Sequence, residues 1–239
     1  IQAILVDGEQ AEAITEGQRG ELVLDPTPFY AEAGGQVGDT GTIVGGPNRA
    51  SVLDTGYRGT AISQIVDMGQ GSFQLGDTVE AAVDMERRLQ VMRNHTATHL
   101  LHAALRSVLG PHVKQAGSLV APDRLRFDFT HYAPLTAAEM DEIENRVNGE
   151  IWRDSRVHTS HMELEDALRS GAVALFGEKY QEKVRVVEVP GYSKELCGGT
   201  HVPATGTIGL VKIVAEAGIA AGIRRLEAIS GPAALERFR

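Results

Sequence analysis

Two short histidine-containing segments, far apart in the chain, most constrain how this sequence can fold. The first holds His95 and His99, and the second holds Cys197 and His201. Residues four apart on a helix share one face, so His95 and His99 would present two imidazoles on the same side. Cys197 and His201 enclose two glycines, which suit a tight turn. A fold that joins both segments would assemble nitrogen and sulfur donors typical of a zinc site.

The alternative to metal binding is ordinary packing, because a histidine on an apolar helix is more often a hydrogen-bonded core residue. Cys197 is the only cysteine of the chain, and its place in a Cys-x-x-x-His turn strengthens the metal interpretation. His102 lies seven residues after His95 and faces the same way, so it could replace a ligand, support one or simply pack. His158 and His161 have nothing nearby that completes a ligand set, and we expect no metal there.

The composition is that of a soluble globular protein with one large or two small domains. The chain has 239 residues, of which 42% are hydrophobic and 23% are charged. It contains no apolar run long enough to cross a bilayer and no signal-peptide pattern. Its net charge of -9 argues against broad nucleic-acid binding, although a local patch could still bind a few phosphates. A single cysteine excludes an internal disulfide and fits a reducing compartment such as the cytoplasm.

The pattern along the chain predicts an α+β fold in two units. Residues 1–88 contain short strand-like segments separated by glycine and proline turns, which predicts a small glycine-rich β-barrel. Within it, Gly34-Gly35-Gln36 belongs to a segment without a phosphate-binding motif. Its glycines are expected to allow close strand contact at a barrel corner, to shape a pocket entrance or to brace the two units. Residues 89–239 are predicted to form an α/β sandwich with an antiparallel-rich sheet.

Helical and strand patterns alternate in the second unit. A helix is predicted from Met85 to Leu109, and a break near Asn94 is an alternative. Residues 113–130 predict a β-hairpin around an Ala-Pro-Asp turn. Thr136 and Glu139 have the spacing of a capping box at the start of another helix. Further strands are predicted at 156–162, 184–189, 209–215 and 222–229, with a short helix at 163–170.

Five motifs are spread over the whole chain. They are Thr27-Pro28-Phe29-Tyr30-Ala31-Glu32 with Gly34-Gly35-Gln36, His95-Thr96-Ala97-Thr98-His99-Leu100-Leu101-His102, Phe176-Gly177-Glu178-Lys179-Tyr180, Cys197-Gly198-Gly199-Thr200-His201 and Gly222-Ile223-Arg224-Arg225. In this order they closely resemble the editing region of alanyl-tRNA synthetases and their free-standing editing relatives. Threonyl-tRNA editing domains have a similar histidine and cysteine arrangement, but the first and last motifs favour the alanine group.

The resemblance implies hydrolysis of Ser-tRNA(Ala) and Gly-tRNA(Ala). A synthetic site discriminates weakly between small amino acids, so accuracy requires a second, hydrolytic site. The implied partners are the 3′ CCA end of tRNA for alanine and the remainder of the synthetase chain, with no membrane. The start at Ile1 and the cut-looking end at Arg239 favour a synthetase fragment over a free-standing trans-editing deacylase. Alternatives from other classes are a non-catalytic zinc- and tRNA-binding module and a zinc hydrolase of small esters or amides.

The cofactor implied by the motifs is Zn²⁺, held by His95, His99 and Cys197. The role of His201 as a permanent ligand stays open, because a catalytic zinc keeps one position free. The metal could activate water, polarise the ester carbonyl or orient the amino group of the substrate, and the residues do not separate these. Thr96 stands where zinc proteases of the His-Glu-x-x-His type have their glutamate, so no obvious general base is present.

Two groups of residues are candidates for contacting the substrate. Gln115 and Thr98 could bind the serine hydroxyl; the alternatives are an exposed strand glutamine and a helix hydroxyl bonded to a carbonyl one turn earlier. Arg224, Arg225 and Lys114 could contact phosphates near the CCA end, since arginine makes bidentate contacts. Surface arginines in salt bridges are the commoner alternative.

Overall fold

A computed structural model of the chain describes residues 1–174 and 180–237. Most of the Phe176–Tyr180 motif and the last two residues therefore lie outside the described ranges. Among the helices within those ranges, none combines the length and the apolarity needed to cross a bilayer.

The described residues form two compact units. The first comprises Ile1–Ala33 and Val37–Arg88, and the second comprises Gly34–Gln36 and the residues from Leu89 onward. The tripeptide Gly34–Gln36 thus belongs to the second unit, although its sequence neighbours belong to the first.

The first unit is built from nine strands. In chain order they are β1 (Ala3–Val6), β2 (Glu9–Gln10), β3 (Ala13–Thr15), β4 (Arg19–Val23), β5 (Gly41–Gly45), β6 (Asn48–Arg58), β7 (Ala61–Gln70), β8 (Ser72–Gln74) and β9 (Glu80–Val83). Seven form one antiparallel sheet in the order β2-β1-β4-β7-β6-β5-β9, and β3 pairs with β8. Alternate residues of β6, Ala50 and Val52, are buried with Ile14, Ile43 and Phe73 in one core, as the two-residue period of a strand requires.

The predicted closed β-barrel is wrong, because this sheet is open. Within residues 1–88, all of which are described, β2 pairs only with β1 and β9 pairs only with β5. A barrel closes when its first and last strands are hydrogen-bonded to each other. Short strands with frequent turns occur in open sheets and barrels alike, so the local pattern does not encode closure.

The remaining helices and strands, apart from the first residues of the first helix, lie in the second unit. They are α1 (Met85–Leu109), β10 (Gln115–Val120), β11 (Leu125–Thr130), α2 (Ala137–Trp152), β12 (His158–Glu163), α3 (Leu164–Arg169), β13 (Lys183–Val189), β14 (Ser193–Leu196), a 3₁₀ turn (Thr205–Ile208), β15 (Val211–Ala220), β16 (Ile223–Ser230) and α4 (Gly231–Glu236). One antiparallel sheet has the order β10-β11-β16-β15, and a second has the order β12-β13-β14. The α+β class and the antiparallel-rich sheets are confirmed, whereas β14 and α4 were not predicted.

The larger sheet packs against α1 and α2 through apolar side chains. Leu125, Phe127 and Phe129 alternate along β11 and are fully buried, as their spacing predicts. Asp128, on the opposite side of β11, is buried as well. Its carboxylate accepts two hydrogen bonds from Arg225 on the neighbouring β16, at 2.6 and 2.8 Å, and this pairing compensates the burial of its charge.

The centre of α1 is buried on every side. All residues from Asn94 to His102 are buried, and six of them are polar: Asn94, His95, Thr96, Thr98, His99 and His102. Asn94 does not break the helix, because its amide group donates to the carbonyl of Ala121 at 2.8 Å and accepts from the hydroxyl of Ser230 at 2.7 Å. Buried polar groups are costly unless they are hydrogen-bonded, so this helix segment requires polar partners from its neighbours.

The capping box of α2 generates a stability prediction. The hydroxyl of Thr136 accepts from the N–H of Glu139 at 3.2 Å, and the Glu139 carboxylate accepts from the N–H of Thr136 at 2.8 Å. Thr136→Ala is expected to lower the free energy of unfolding by about 1 kcal/mol, because it leaves a helix N–H unpaired. Thr136→Ser keeps the hydroxyl and should match the parent in urea unfolding; equal stability of the two variants would contradict this role.

Candidate metal centre

The two predicted ligand segments meet in the second unit. His95 and His99 project from α1, and Cys197 and His201 belong to the turn that follows β14. The candidate ligand atoms of these four side chains all lie within 4.8 Å of one another. Over residues 1–174 and 180–237, no other group of three or more histidine, cysteine or acidic side chains is arranged to hold a metal ion. Four predicted ligands therefore form a candidate metal centre.

The sulfur of Cys197 lies at the middle of the cluster. Its Sγ is 3.4 Å from Nε2 of His95 and 3.3 Å from Nε2 of His201. The rings of His95, His99 and His201 also lie close to one another, with their centroids separated pairwise by 4.3, 4.7 and 5.2 Å. The ring nitrogens of His95 and His201 that face the sulfur are therefore also the ones available to a metal ion.

Each histidine has a polar neighbour at its other ring nitrogen. Nδ1 of His95 lies 2.6 Å from Oε1 of Gln36, and Nδ1 of His201 lies 3.1 Å from Oγ1 of Thr96. The Thr96 hydroxyl also accepts from the N–H of Val202 at 3.2 Å. Such outer contacts set the ring orientation and tautomer of metal-ligating histidines. Thr96, in the position of a protease glutamate, thus holds a histidine in place.

Glu195 lies beside two histidines of α1. They are His99, the other candidate ligand on this helix, and His102, one turn further along. The Oε2 of Glu195 lies 3.7 Å from Nδ1 of His99, and its Oε1 lies 3.2 Å from Nδ1 of His102. Burial opposes ionisation of Glu195, but His99 and His102 hold the pKa of its carboxyl below the ordinary value. His102 therefore supports the cluster through Glu195 and is not one of the four clustered donors. Its ring also packs against Phe127, with centroids 5.2 Å apart.

The electrostatics of the cluster give Cys197 and His201 the protonation states that bind a metal, whereas His99 must lose a proton before it can do so. Burial opposes ionisation of Cys197, but His95, His99 and His201 outweigh it and hold the pKa of the thiol well below its ordinary value. Burial, reinforced by His95, lowers the pKa of His201 to about 3, so this ring stays neutral. Burial also opposes protonation of His99, but Glu195 and Cys197 raise its pKa to about 9. A thiolate and a neutral imidazole are the forms that bind metals.

Comparison with known proteins shows which sequences this chain is similar to. A family model described as tRNA synthetases class II (A) matches residues 1–87, and one described as threonyl and alanyl tRNA synthetase second additional domain matches residues 184–227. An alanine–tRNA ligase of Myxococcus xanthus is 52% identical over 242 residues, which cover 100% of this chain. Those of Solibacter usitatus and Bordetella petrii are 53% and 52% identical, over 100% and 98% of the chain.

The chain belongs to the alanyl-tRNA synthetase family. It spans 27% of the length of each of these three relatives.

The two residues predicted to meet the substrate hydroxyl differ in how they are engaged. Gln115 is half-buried at the start of β10, and its Nε2 lies 3.5 Å from Oγ of Ser118, at the limit of a hydrogen bond. Thr98 is buried, and its hydroxyl donates to the carbonyl of Asn94 at 2.8 Å. This is the helix-backbone alternative considered from the sequence. Of the two side chains, Gln115 therefore makes the weaker hydrogen bond within the protein.

The basic residues predicted to contact tRNA lie in two settings. Arg224 donates to Glu216 at 2.6 Å, and Arg225 is paired with Asp128, so both arginines already engage carboxylates. Lys114 is exposed, and its backbone N–H donates to the hydroxyl of Thr130. Both arginines are thus in salt bridges, the commoner arrangement for surface arginines. His158 and His161 lie exposed on β12 and do not belong to the four-residue cluster.

Sequence reasoning missed the residues that support the ligands. Glu195 lies two residues before Cys197, and Gln36 ends the Gly-Gly-Gln segment, but neither position has a periodic or metal-binding pattern. The sequence therefore carries no signal for them, and only the structure shows that they are buried, with Gln36 0% and Glu195 5% exposed. Buried side chains of this kind require partners, but only the fold identifies those partners.

The turn between Cys197 and His201 generates a steric prediction. A Cβ on Gly199 would overlap the His95 ring and lie 2.7 Å from Oε1 of Gln36, whereas a Cβ on Gly198 would meet no atom within 4 Å. Gly199→Ala is therefore expected to lower the free energy of unfolding by about 1–3 kcal/mol through overpacking. Gly198→Ala is the matched control and should leave it unchanged. Urea unfolding in the presence of a chelator measures both; equal losses would contradict the close approach.

Proposed function

We propose that this chain is the editing segment of an alanine–tRNA ligase. In this proposal it hydrolyses the ester bond that joins serine or glycine to a mischarged tRNA for alanine. The observation that carries the proposal is the convergence of His95, His99, Cys197 and His201 in a chain of this family. The proposed partners are the 3′ CCA end of the tRNA and the remainder of the ligase, in the cytoplasm. A free-standing deacylase would use the same site.

The donor set fits a zinc ion. Tetrahedral zinc with Zn–S near 2.3 Å and Zn–N near 2.0–2.1 Å holds sulfur and nitrogen about 3.5 Å apart. The Sγ of Cys197 lies 3.4 and 3.3 Å from the nitrogens of His95 and His201. Zinc held by these residues would supply a Lewis acid at the ester or lower the pKa of a water molecule.

The protein residues of the proposed reaction orient the ligands and the substrate. Thr96 and Glu195 lie beside the Nδ1 atoms of His201 and His99, at 3.1 and 3.7 Å, and would help to orient these two rings. In the proposal, the amide of Gln115 binds the serine hydroxyl, since its contact to Ser118 is weak. Thr98 already donates its proton to a backbone carbonyl, so it could only accept a hydrogen bond from the substrate.

Phosphate binding near the CCA end is proposed for Lys114 and for the two arginines that are paired with carboxylates. Lys114 is exposed and carries a compact, mobile charge suited to a phosphate. Arg224 and Arg225 are bound to carboxylates, so their proposed phosphate contacts use the guanidinium donors that remain. The net charge of -9 makes a small local contact more plausible than a broad electrostatic surface.

A second candidate function follows from the same four donors. Structural zinc sites are closed by four protein ligands, whereas catalytic zinc sites keep one position open. Because His201 lies as close to the sulfur as His95 does, a non-catalytic zinc- and tRNA-binding module also fits the geometry. Such a module would bind tRNA without releasing the amino acid, and the following assay separates it from an editing enzyme.

Cys197→Ala is expected to lower the rate of Ser-tRNA hydrolysis by about 100-fold or more. Removing a residue that only contacts a metal ligand typically costs about 10–100-fold, and Cys197 is proposed to bind the metal directly. Serine release from Ser-tRNA, Gly-tRNA and Ala-tRNA is measured with and without a chelator, and the parent protein should spare Ala-tRNA. Undiminished rates in the Cys197→Ala variant would remove the metal from the mechanism. Binding without any release by the parent would favour the non-catalytic module.

Gln115→His is expected to lower Ser-tRNA hydrolysis by about tenfold, the equivalent of one hydrogen bond of about 1.4 kcal/mol. Zinc binding should not change, because Gln115 contacts none of the four ligands in the described residues. Gln70→His, at an exposed position of β7, is the matched control. If both variants hydrolyse Ser-tRNA equally fast, Gln115 does not contact the substrate.

A further inference from the structure

The Gly34-Gly35-Gln36 segment has a use that the sequence did not predict. Gln36 is 0% exposed, and its side chain makes three hydrogen bonds. Its Oε1 accepts from Nδ1 of His95 at 2.6 Å and from the N–H of Thr200 at 2.9 Å. Its Nε2 donates to the hydroxyl of Thr200 at 2.9 Å. One amide therefore contacts both segments that carry the candidate ligands.

The orientation of this amide determines the tautomer of His95. The backbone N–H of Thr200 can only donate, so the Gln36 atom that faces it must be the oxygen. The same oxygen faces Nδ1 of His95, and this nitrogen must therefore carry a proton. In the neutral ring the proton is then absent from Nε2, the nitrogen 3.4 Å from Cys197 Sγ. This leaves a lone pair directed into the cluster.

The backbone of the tripeptide is held tightly enough to place the amide. The carbonyl of Gly35 accepts from the N–H of Val120 at 2.7 Å, and Gln36 forms a parallel bridge to Val120. Gly35 has a φ of 83°, and a Cβ there would overlap Ser118 Oγ and lie 2.7 Å from its carbonyl oxygen. Glycine is required for both reasons. The segment is thereby fixed against β10, the strand that also carries Gln115.

We propose that Gln36 is a positioning residue of the metal centre, which holds His95 in the Nδ1-protonated tautomer and ties it to the Cys197–His201 turn. Its role is exerted through His95 and Thr200, and it donates no atom to the ion itself. The inference rests on the proposed zinc site. It explains why a glycine-rich tripeptide, flanked on both sides by residues of the first unit, is grouped with the second.

The contacts of Gln36 predict which substitutions preserve the role. In Gln36→Glu, a carboxylate oxygen can still accept from His95 and Thr200 N–H, and the Thr200 hydroxyl can reverse its role and donate. Gln36→Met has similar length but cannot accept these bonds, so His95 loses its tautomer preference and the N–H of Thr200 is unpaired. Gln64→Met is the matched control, because Gln64 is also 0% exposed but lies in the first unit and contacts Thr27.

The test is metal affinity in the whole chain, measured with Zn²⁺ alone in competition with a chromophoric chelator. Gln36→Met is expected to weaken Zn²⁺ binding by about 10–100-fold, and Gln36→Glu and Gln64→Met should stay near the parent value. The absorption spectrum with Co²⁺ in place of zinc should change in Gln36→Met alone. Thermal unfolding in the presence of a chelator compares the stabilities of the metal-free Gln36→Met and Gln64→Met variants. If Gln36→Met does not fold, Gln36→Asn, whose amide is too short to reach both partners, is measured instead.

The outcomes separate this inference from the proposed function. A parent protein that does not bind Zn²⁺ overturns the zinc site and the role of Gln36 with it. A parent that binds Zn²⁺, together with an unchanged Gln36→Met or equal losses in Gln36→Met and Gln64→Met, overturns the positioning role alone. Failure of Gln36→Glu to retain affinity overturns it as well. Loss confined to Gln36→Met, or to Gln36→Asn in its place, supports it.

Discussion

The second unit depends on a helix that buries polar side chains around its whole circumference. A helix that packs on one side can turn its polar residues towards water, but the segment from Asn94 to His102 has no solvent face. Its hydrogen-bonding groups must be satisfied by other chain segments. The partners come from four places: the Gly34–Gln36 tripeptide, the β10–β11 turn at Ala121, the strand and turn around Glu195 and Thr200, and the end of β16. Meeting this requirement is what builds the candidate metal centre.

The ligand side chains are oriented mostly by the residues that contact them. The imidazoles alone could rotate or change tautomer. Gln36 and Thr96 restrain His95 and His201 through hydrogen-bond contacts at Nδ1, and Glu195 lies 3.7 Å from Nδ1 of His99. Preorganised outer contacts of this kind reduce the cost of assembling a metal site.

Close backbone approach is the second constraint on the site, and glycine makes it possible. Gly199 lets the turn carrying Cys197 lie against the ring of His95, and Gly35 lets the tripeptide lie against Ser118 on β10. The glycines of the sequence motifs therefore bring polar side chains within hydrogen-bonding distance of the ligands. The arrangement occurs in a chain that is 52% identical, over its whole length, to a segment of an alanine–tRNA ligase.

The sequence by itself determined the features whose signals are local. Helical spacing pointed to His95 and His99, the Cys-x-x-x-His turn pointed to Cys197 and His201, and the capping box at Thr136 and the β10–β11 hairpin were likewise readable from neighbouring residues. Only the tertiary structure decided that the first sheet is open, that Glu195 and Gln36 support the ligands, and that the two arginines are paired with acids. Those features arise from contacts between residues distant in sequence, and no short period or motif records them.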